Sequence, residues 1–406
     1  MDLRTGLPVV GMVGGGQLAR MTHQAAIPLG QSLRVLVNST DDSAALVAGD
    51  VRVGDHTDLE ALMAFAKGVD VLTFDHEHVP NEHVRALAAA GVAVRPGADA
   101  LLAAQDKGHM RERLSDLGLP MPRWAPVHGL GDIEKFAAGD WPVVAKATRG
   151  GYDGKGVWLL DGSEAAQRLI AECAETMWKS GRQGMVSAHS ATGTPLIVEE
   201  KVPLVRELAA VVARSPFGQV AAYPVVETVQ QDGICVEVLA PAPGVPDATA
   251  VEAQQIAIKV ATELDVTGIL AVELFDTGAG LLVNELAMRP HNSAHWTIDG
   301  ARTSQFEQHL RAVLDYPLGD TSMTAPAVCM ANVLGGPPEV AMGIDERLHH
   351  LFAADPGAKV HLYGKAVRPG RKIGHVTVVG DDMSQVRARA ARAAAWLRTA
   401  QGNPHR

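Results

Sequence analysis

The sequence predicts a chain of mixed α/β and α+β class: an N-terminal open parallel α/β sheet, a central α+β region, and a small C-terminal β-rich part with a terminal helix. Three observations carry this. The 406 residues exceed the roughly 250–300 that one hydrophobic core organises, so two or three domains are expected. Residues 1–100 alternate short β-rich runs with helical stretches, the form a parallel sheet with crossover helices takes in sequence. From Trp141 onward the texture changes to the runs WPVVAKA, GVWLL, PLIVEE, ELAAVVAR and AAYPVVE, separated by glycine clusters, which suits antiparallel or mixed pairing.

Taken in order, Val9 to Val13 reads as a strand and is followed by glycines and a helix from Gln17 to Ile27. Leu33 to Val37 and Val69 to Phe74 read as further strands, with helices at Asp58 to Lys67 and Asn81 to Ala90. The second of these helices closes on Gly91, a residue free to take the left-handed turn that ends many helices. Val92 to Arg95 reads as a fourth strand, and Pro96-Gly97 marks a boundary. One helix is expected over Ala98 to Leu117, stopped by Gly118 and Pro120. Residues 161–195 contain a helix and the polar run KSGRQGMVSAHSATGT, too poor in apolar residues to pack and expected to be a mobile surface segment. A helix from Asp247 to Leu264 precedes a hairpin, Ile269 to Phe275 and Leu281 to Leu286, joined by DTGAG. After further strands from about Thr321, the helix Met383 to Thr399 sets Val386, Ala390, Ala393, Ala394 and Leu397 on one face.

Composition excludes several classes of function. Hydrophobic residues at 47% and charged ones at 20% rule out an extended disordered chain. The net charge of −10 would repel a nucleic-acid backbone, so no nucleic-acid partner is expected. Cys173, Cys235 and Cys329 are far apart without metal-ligand spacing, which fits a reducing compartment. The N-terminus lacks a basic region followed by a long apolar stretch, and no segment approaches the roughly 20 apolar residues of a membrane span; the expected location is the cytoplasm.

Five constellations suggest chemistry. Gly14-Gly15-Gly16-Gln17-Leu18 joins a strand to a helix, where backbone N–H groups and the helix N-terminus can approach a phosphate. The next strand ends on Asn38 without an acid for a ribose, which disfavours a dinucleotide. Lys146, then Arg149-Gly150-Gly151-Tyr152-Asp153-Gly154-Lys155-Gly156-Val157, supplies cations and a flexible loop suited to a polyphosphate, though without P-loop spacing. In the hairpin, a five-residue loop from Asp276 to Gly280 would put Phe275 opposite Leu281 and leave Glu273 and Glu285 as diagonal neighbours on one face, roughly 7–8 Å apart at the backbone, a spacing for a divalent cation. A four-residue loop would separate them. Arg289, His291, Asn292 and Ser293 crowd the segment that follows, the polar lining of a small-molecule pocket. Between Pro356 and Gly380, Lys359, Lys365, Arg368, Arg371 and Lys372 occur with no acid, a patch for a phosphate ester. Asp75-His76-Glu77-His78 is weaker as a metal cluster, since only His76 and His78 point the same way on a strand.

The segments GGGQLARM, GGYDGKG, VNELAMRPHNSAHWTIDGARTSQFEQHLRAVL and KAVRPGRKIGHV, in this order, resemble the N5-carboxyaminoimidazole ribonucleotide synthase family, the ATPase subunits of phosphoribosylaminoimidazole carboxylase, within the ATP-grasp superfamily. The third is the most specific, because other ATP-grasp ligases share its glutamates but not its continuation. The resemblance covers essentially the whole chain. It implies an N-terminal pre-ATP-grasp domain over 1–100, a two-lobed ATP-grasp over 101–320 with a mobile lobe at about 121–200, and a C-terminal domain over 321–406. It implies ATP- and bicarbonate-dependent carboxylation of 5-aminoimidazole ribonucleotide in purine biosynthesis, with release of ADP and phosphate. The alternatives are another ATP-grasp ligase, such as a formate-dependent glycinamide ribonucleotide transformylase, or a non-catalytic nucleotide sensor.

Carried over residue by residue, the resemblance implies that Lys107, Lys146 and the loop Gly151 to Val157 hold ATP phosphates, that Glu199, Glu200, Lys201 and Val202 line the adenine, and that Glu207 holds the ribose. Gln230 stands at an ATP-contact position where relatives often carry histidine. Glu273 and Glu285, with Asn284 beside the latter, would position Mg²⁺ or Mn²⁺. The substrate's phosphate would meet Gly16, Gln17 and Leu18 and, opposite them, Lys365, Arg371 and Lys372. Tyr152, Asp153, Arg289, His291, Asn292 and Ser293 would surround its ring, with Glu77 nearby. DHEH replaces a more usual acidic-aromatic run, and the stretch from Ser180 to Thr194 is longer than in many relatives. A homodimer is expected by analogy.

Overall fold

The structure, a computed structural model, describes residues 1–150, 154–180, 195–337, 340 and 342–401. Gly151, Tyr152 and Asp153, and all but the first two residues of the polar run expected to be mobile, lie outside the described residues. Among the described residues the strands form three sheets, and no helix is long and apolar enough to cross a membrane.

The first sheet contains β1 (Val9–Val13), β2 (Ser32–Val37), β3 (Asp50–Val53) and β4 (Val71–Phe74), all parallel, in the order β3-β2-β1-β4. The crossovers carry α1 (Gln17–Ala26) and α2 (Leu59–Ala66), and α3 (Asn81–Ala89) follows β4. Every residue of β1 is buried, as a strand covered on both faces requires. Two sequence readings need correction. The edge strand β3, DVRV, is half exposed and carries no apolar run to betray it. Val92 to Arg95, expected as a strand, makes only a parallel bridge between Val94 and Leu72, because the chain turns off at Pro96.

The helix expected over Ala98 to Leu117 is two, α4 (Ala98–Gln105) and α5 (Lys107–Asp116). Asp106 breaks them: its backbone is extended (φ −133°, ψ 110°), and its carboxylate accepts from the N–H groups of Gly108 and His109 as an N-cap. Lys107 thereby starts a new helix.

The second sheet is antiparallel, β5 (Trp124–Val127), β6 (Val143–Ala147), β7 (Val157–Leu160) and β8 (Leu196–Glu200) in the order β5-β8-β6-β7. With α6 (Leu130–Ala137) and α7 (Ser163–Ser180) it encloses its own core around Ile133, Val143, Leu160, Leu169 and Val198. It forms a separate lobe.

The third and largest sheet holds β9 (Arg206–Arg214), β10 (Val220–Ala222), β11 (Val226–Gln231), β12 (Ile234–Ala240), β13 (Gly268–Asp276), β14 (Leu281–Ala287), β15 (Ala327–Leu334), β16 (Lys359–Leu362) and β17 (Lys372–Gly380). Its order is β14-β13-β9-β11-β12-β15-β17-β16, with β10 beside β9. The C-terminal strands join through the pairing of β12 with β15, so one antiparallel sheet runs from the carboxylate hairpin to the basic segment. Around it lie α8 (Asp247–Glu263), a short turn α9 (Thr297–Gly300), α10 (Gln305–Val313), α11 (Ile344–Ala354) and α12 (Met383–Thr399). The apolar face of α12 is buried at Val386, Ala390, Ala393, Ala394 and Leu397 as expected, and also at Trp396.

Candidate active site

The hairpin of β13 and β14 corrects the expected register. Its loop has four residues, Thr277 to Gly280, with Asp276 opposite Leu281 and Leu274 opposite Val283. Continued regularly, that register would put Glu273 opposite Asn284 and turn Glu285 onto the core face with Val283. A β-bulge intervenes: the register shifts at Asn284, and Glu285 lies directly opposite Glu273. The carboxylates are therefore immediate cross-strand neighbours rather than diagonal ones. Burial raises the Glu273 carboxyl, and the charges of Glu285 and Glu207 add to the rise against Lys372 and Lys107. Lys107 Nζ stands 3.0 Å from Glu285 Oε1, and His291 Nε2 stands 3.5 Å from Glu273 Oε1. Two facing hard-oxygen donors fit a divalent cation that completes its shell with phosphate and water. Among the described residues no group of three or more His, Cys, Asp or Glu surrounds one point, so the pair would be the protein's contribution.

Beside the bulge lies a buried ionic hub. Lys146 on β6 places Nζ 2.8 Å from Glu199 Oε2 and 3.0 Å from Asn284 Oδ1. Arg111 on α5 donates from Nε to Glu199 Oε1 at 2.7 Å, from Nη1 to the Val283 carbonyl and from Nη2 to the Asn284 carbonyl, both at 2.9 Å. Burial would raise the Glu199 carboxyl, but Lys146 and Arg111 overcome this and hold it below the usual carboxylate range. The carboxylate expected beside adenine is thus engaged by two cations. Arg111 was not anticipated; its signal was its place one helical turn after Lys107, on the same face of α5.

The nucleotide-facing residues gather around this hub. Burial raises the Glu207 carboxyl, and a hydrogen bond from Gln230 opposes the rise. Glu200 accepts from the Arg123 N–H at 2.7 Å, while Lys201 is exposed and Val202 half-buried in the link to β9. Gly154 and Gly156 have left-handed backbones (φ +75° and +74°) on either side of exposed Lys155, just before Val157 opens β7. A Cβ on Gly154 would come within 3.3 Å of Gly233 Cα, so this part of the loop rests on the β11–β12 turn.

A cavity of 320 Å³ separates the first sheet from the C-terminal segment, lined by Gly14, Gly15, Gly16, Asp41, Asp42 and Asp75 on one side and Lys365 and Arg371 on the other. Lys365 hydrogen-bonds the Gln17 side chain across it. The glycine loop differs from expectation, for buried Asp75 accepts from the N–H groups of Gly16 and Ala19. A side chain of the protein itself thus meets this helix N-terminus, and burial raises its carboxyl. A Cβ at Gly14 or Gly16 would lie 2.5 or 2.6 Å from an Asp75 oxygen, so these glycines admit that carboxylate closely. Leu18 turns instead into an apolar cluster with Met21, Phe306 and Tyr363.

Glu77, just after β4, meets the segment that follows the hairpin, accepting from Arg289 Nε at 2.8 Å and from the Met288 N–H at 3.1 Å. Burial pushes the His291 imidazole down to about 3, aided by Arg289 and Lys372. Its Nδ1 lies 2.9 Å from Ser293 Oγ, and Asn292 exchanges two amide hydrogen bonds with Asn332. His76 and His78 stack with ring centroids 5.2 Å apart, and His76 Nδ1 accepts from the His78 N–H, which leaves that nitrogen unavailable to a metal.

Three domain families match in series: the ribonucleotide synthetase preATP-grasp domain over residues 7–105, the ATP-grasp domain over 112–306, and the phosphoribosylaminoimidazole carboxylase C-terminal domain over 328–389. The chain is 58% identical to an N5-carboxyaminoimidazole ribonucleotide synthase of Mycobacterium tuberculosis, covering 98% of this chain and 91% of the relative. The chain belongs to the N5-carboxyaminoimidazole ribonucleotide synthase family. The synthase of Corynebacterium ammoniagenes is 48% identical over 97% of this chain and 92% of its own length. Among solved synthases, that of Thermus thermophilus matches with a TM-score of 0.81 at 37% identity, over 97% of this chain and 99% of its own. A synthase of Aspergillus clavatus in complex with ADP and 5-aminoimidazole ribonucleotide matches with a TM-score of 0.81 at 28% identity, over 96% and 98%. The three-sheet arrangement is thus the architecture of solved synthases.

Proposed function

We propose that this chain carboxylates the exocyclic amine of 5-aminoimidazole ribonucleotide to N5-carboxyaminoimidazole ribonucleotide, consuming ATP and bicarbonate, releasing ADP and phosphate, and passing through carboxyphosphate. The observation that supports this reading is the facing Glu273–Glu285 pair, with Lys107 on Glu285 and Lys146 on the neighbouring Asn284.

In this reading Lys107 and Lys146 hold the ATP phosphates, with Gly151 to Val157 folded over them. Glu199 to Val202 flank the adenine, Glu207 takes the ribose hydroxyls, and Gln230 steadies Glu207. Glu273 and Glu285 hold Mg²⁺, or Mn²⁺, with Asn284 adjacent; the ion, when bound, neutralises phosphate charge. Lys365, Arg371 and Lys372 hold the substrate's phosphate near the turn at Gly16, Gln17 and Leu18, alongside the Asp75 carboxyl that engages the N–H groups of Gly16 and Ala19. Tyr152, Asp153, Arg289, His291, Asn292 and Ser293 surround its ring and the carboxyl group. Neutral His291 can offer or accept a hydrogen bond without adding charge. No side chain forms a covalent bond, and catalysis is positioning and electrostatic stabilisation with water kept out.

The test is ADP release by the purified protein with Mg²⁺, ATP and bicarbonate, with and without 5-aminoimidazole ribonucleotide. Strong stimulation with loss of the free amine is expected. Absence of stimulation in protein that binds ATP would mean a different acceptor. Glu285→Gln is expected to lower turnover at least about 100-fold with an unchanged circular dichroism spectrum, and near-normal turnover would reject the metal assignment.

A further inference from the structure

We infer that Arg111 is a positioning residue that locks the β14 bulge to the smaller lobe and so maintains the register that brings Glu273 and Glu285 together. The inference rests on reading that pair as metal ligands. A bulge interrupts the ladder and leaves backbone groups in need of partners. Here the carbonyls of Val283 and Asn284, on either side of the register shift, both accept from one guanidinium. Its third hydrogen bond goes to Glu199 on β8, and Glu199 in turn holds Lys146, which reaches the Asn284 side chain. The ring closes on itself. It joins three elements from separate parts of the fold, α5, the second sheet and the β14 edge of the third, and the side chains of Arg111 and Glu199 are almost wholly shielded from water.

Geometry explains why an arginine is required. Three acceptors lie in three directions, and the rigid fork of a guanidinium meets them together, whereas the point charge of a lysine cannot. The alternative register is available to the same hairpin, since without the bulge Glu285 would follow Val283 onto the core face. By satisfying both carbonyls of the bulged form, Arg111 favours the register in which the carboxylates meet. Lys107, one turn earlier on α5, pairs with Glu285 itself, so a single helix face supports both the bulge and its product.

The experiment measures Mn²⁺ binding by full-length protein in the presence of ADP, from the paramagnetic resonance of free Mn²⁺, for the unaltered chain, Arg111→Lys and Glu285→Gln. Arg111→Lys keeps a cation for Glu199 but gives up part of the carbonyl clamp. Its Mn²⁺ affinity is expected to fall roughly tenfold, while the KM for 5-aminoimidazole ribonucleotide stays within about twofold. A general loss of stability would shift the melting temperature without changing the affinity of the folded protein. Unchanged Mn²⁺ affinity in Arg111→Lys, with affinity lost in Glu285→Gln, overturns the role of Arg111. Unchanged affinity in Glu285→Gln means that the reading of the pair fails, and the inference with it. Should Arg111→Lys not fold, Arg111→Gln, which can still donate to a carbonyl but not to all three acceptors, is read in the same way.

Discussion

Asp75 accepts from backbone N–H groups at the start of α1, close against the glycines, and this changes what a substitution there would do. Gly16 has an ordinary backbone (φ −77°), so Gly16→Ala introduces no conformational strain, only a methyl 2.6 Å from an Asp75 oxygen. We expect it to cost about 1–3 kcal/mol in urea denaturation and to raise the KM for the nucleotide substrate. Gly97→Ala is the control, at a helix start of similar backbone conformation (φ −72°) with open space around it, and should be nearly neutral. Equal effects would remove the steric account. Glu273, Glu285 and Arg289 were legible because their chemistry sits within a few residues of one hairpin. Asp75 and Arg111 were not, since a glycine run does not reveal which acceptor meets it, and the acceptors of Arg111 lie 88, 172 and 173 residues away.

Element boundaries were largely legible wherever a period, a glycine or a cap marked them, as at Asn81–Ala89, Asp247–Glu263 and Met383–Thr399. What escaped were the irregularities on which the site depends. LLVNELA reads as plain alternation, and only the finished ladder shows that Asn284 is the extra residue. Asp106 likewise hid inside a helical pattern, because a capping side chain competes with the helix interior without disturbing the apolar period. The glycine loop carries a prediction at this scale. Gly150 and Gly154 share a left-handed backbone, but a methyl on Gly150 meets none of the described residues within 4 Å and one on Gly154 meets the β11–β12 turn. Gly154→Ala should therefore reduce turnover several-fold more than Gly150→Ala, both paying a strain of about 1 kcal/mol. If steady-state kinetics show equal losses, the loop does not need that contact.

Across the whole molecule, the order of the domains was legible, but the continuity of the third sheet was not, because the pairing of β12 with β15 leaves no local mark in either strand. Buried histidines set the molecule's response to acid. Burial pushes His76 and His309 down to about 3 and holds His295 and His375 well below their ordinary value, so all four stay neutral in the fold. The unfolded chain protonates them below pH 6.5, so they cost nothing above that pH, and stability falls as the pH drops from there toward 3, by up to about 1.4 kcal/mol per unit for each. The urea midpoint should fall between pH 6.5 and 5. His309→Gln can still accept from the Ile269 N–H and donate to Thr73, and should shrink that dependence by about one proton. A flat profile would contradict the assignment. The cavity adds a consequence for biosynthesis of the chain itself, since one of its walls, Gly14 to Gly16, is made long before the other, Lys365 and Arg371. A ribosome completes the carboxylate hairpin long before the second wall exists. A nascent or protease-clipped chain ending before Lys365 therefore carries the acidic pair without the basic wall of that cavity.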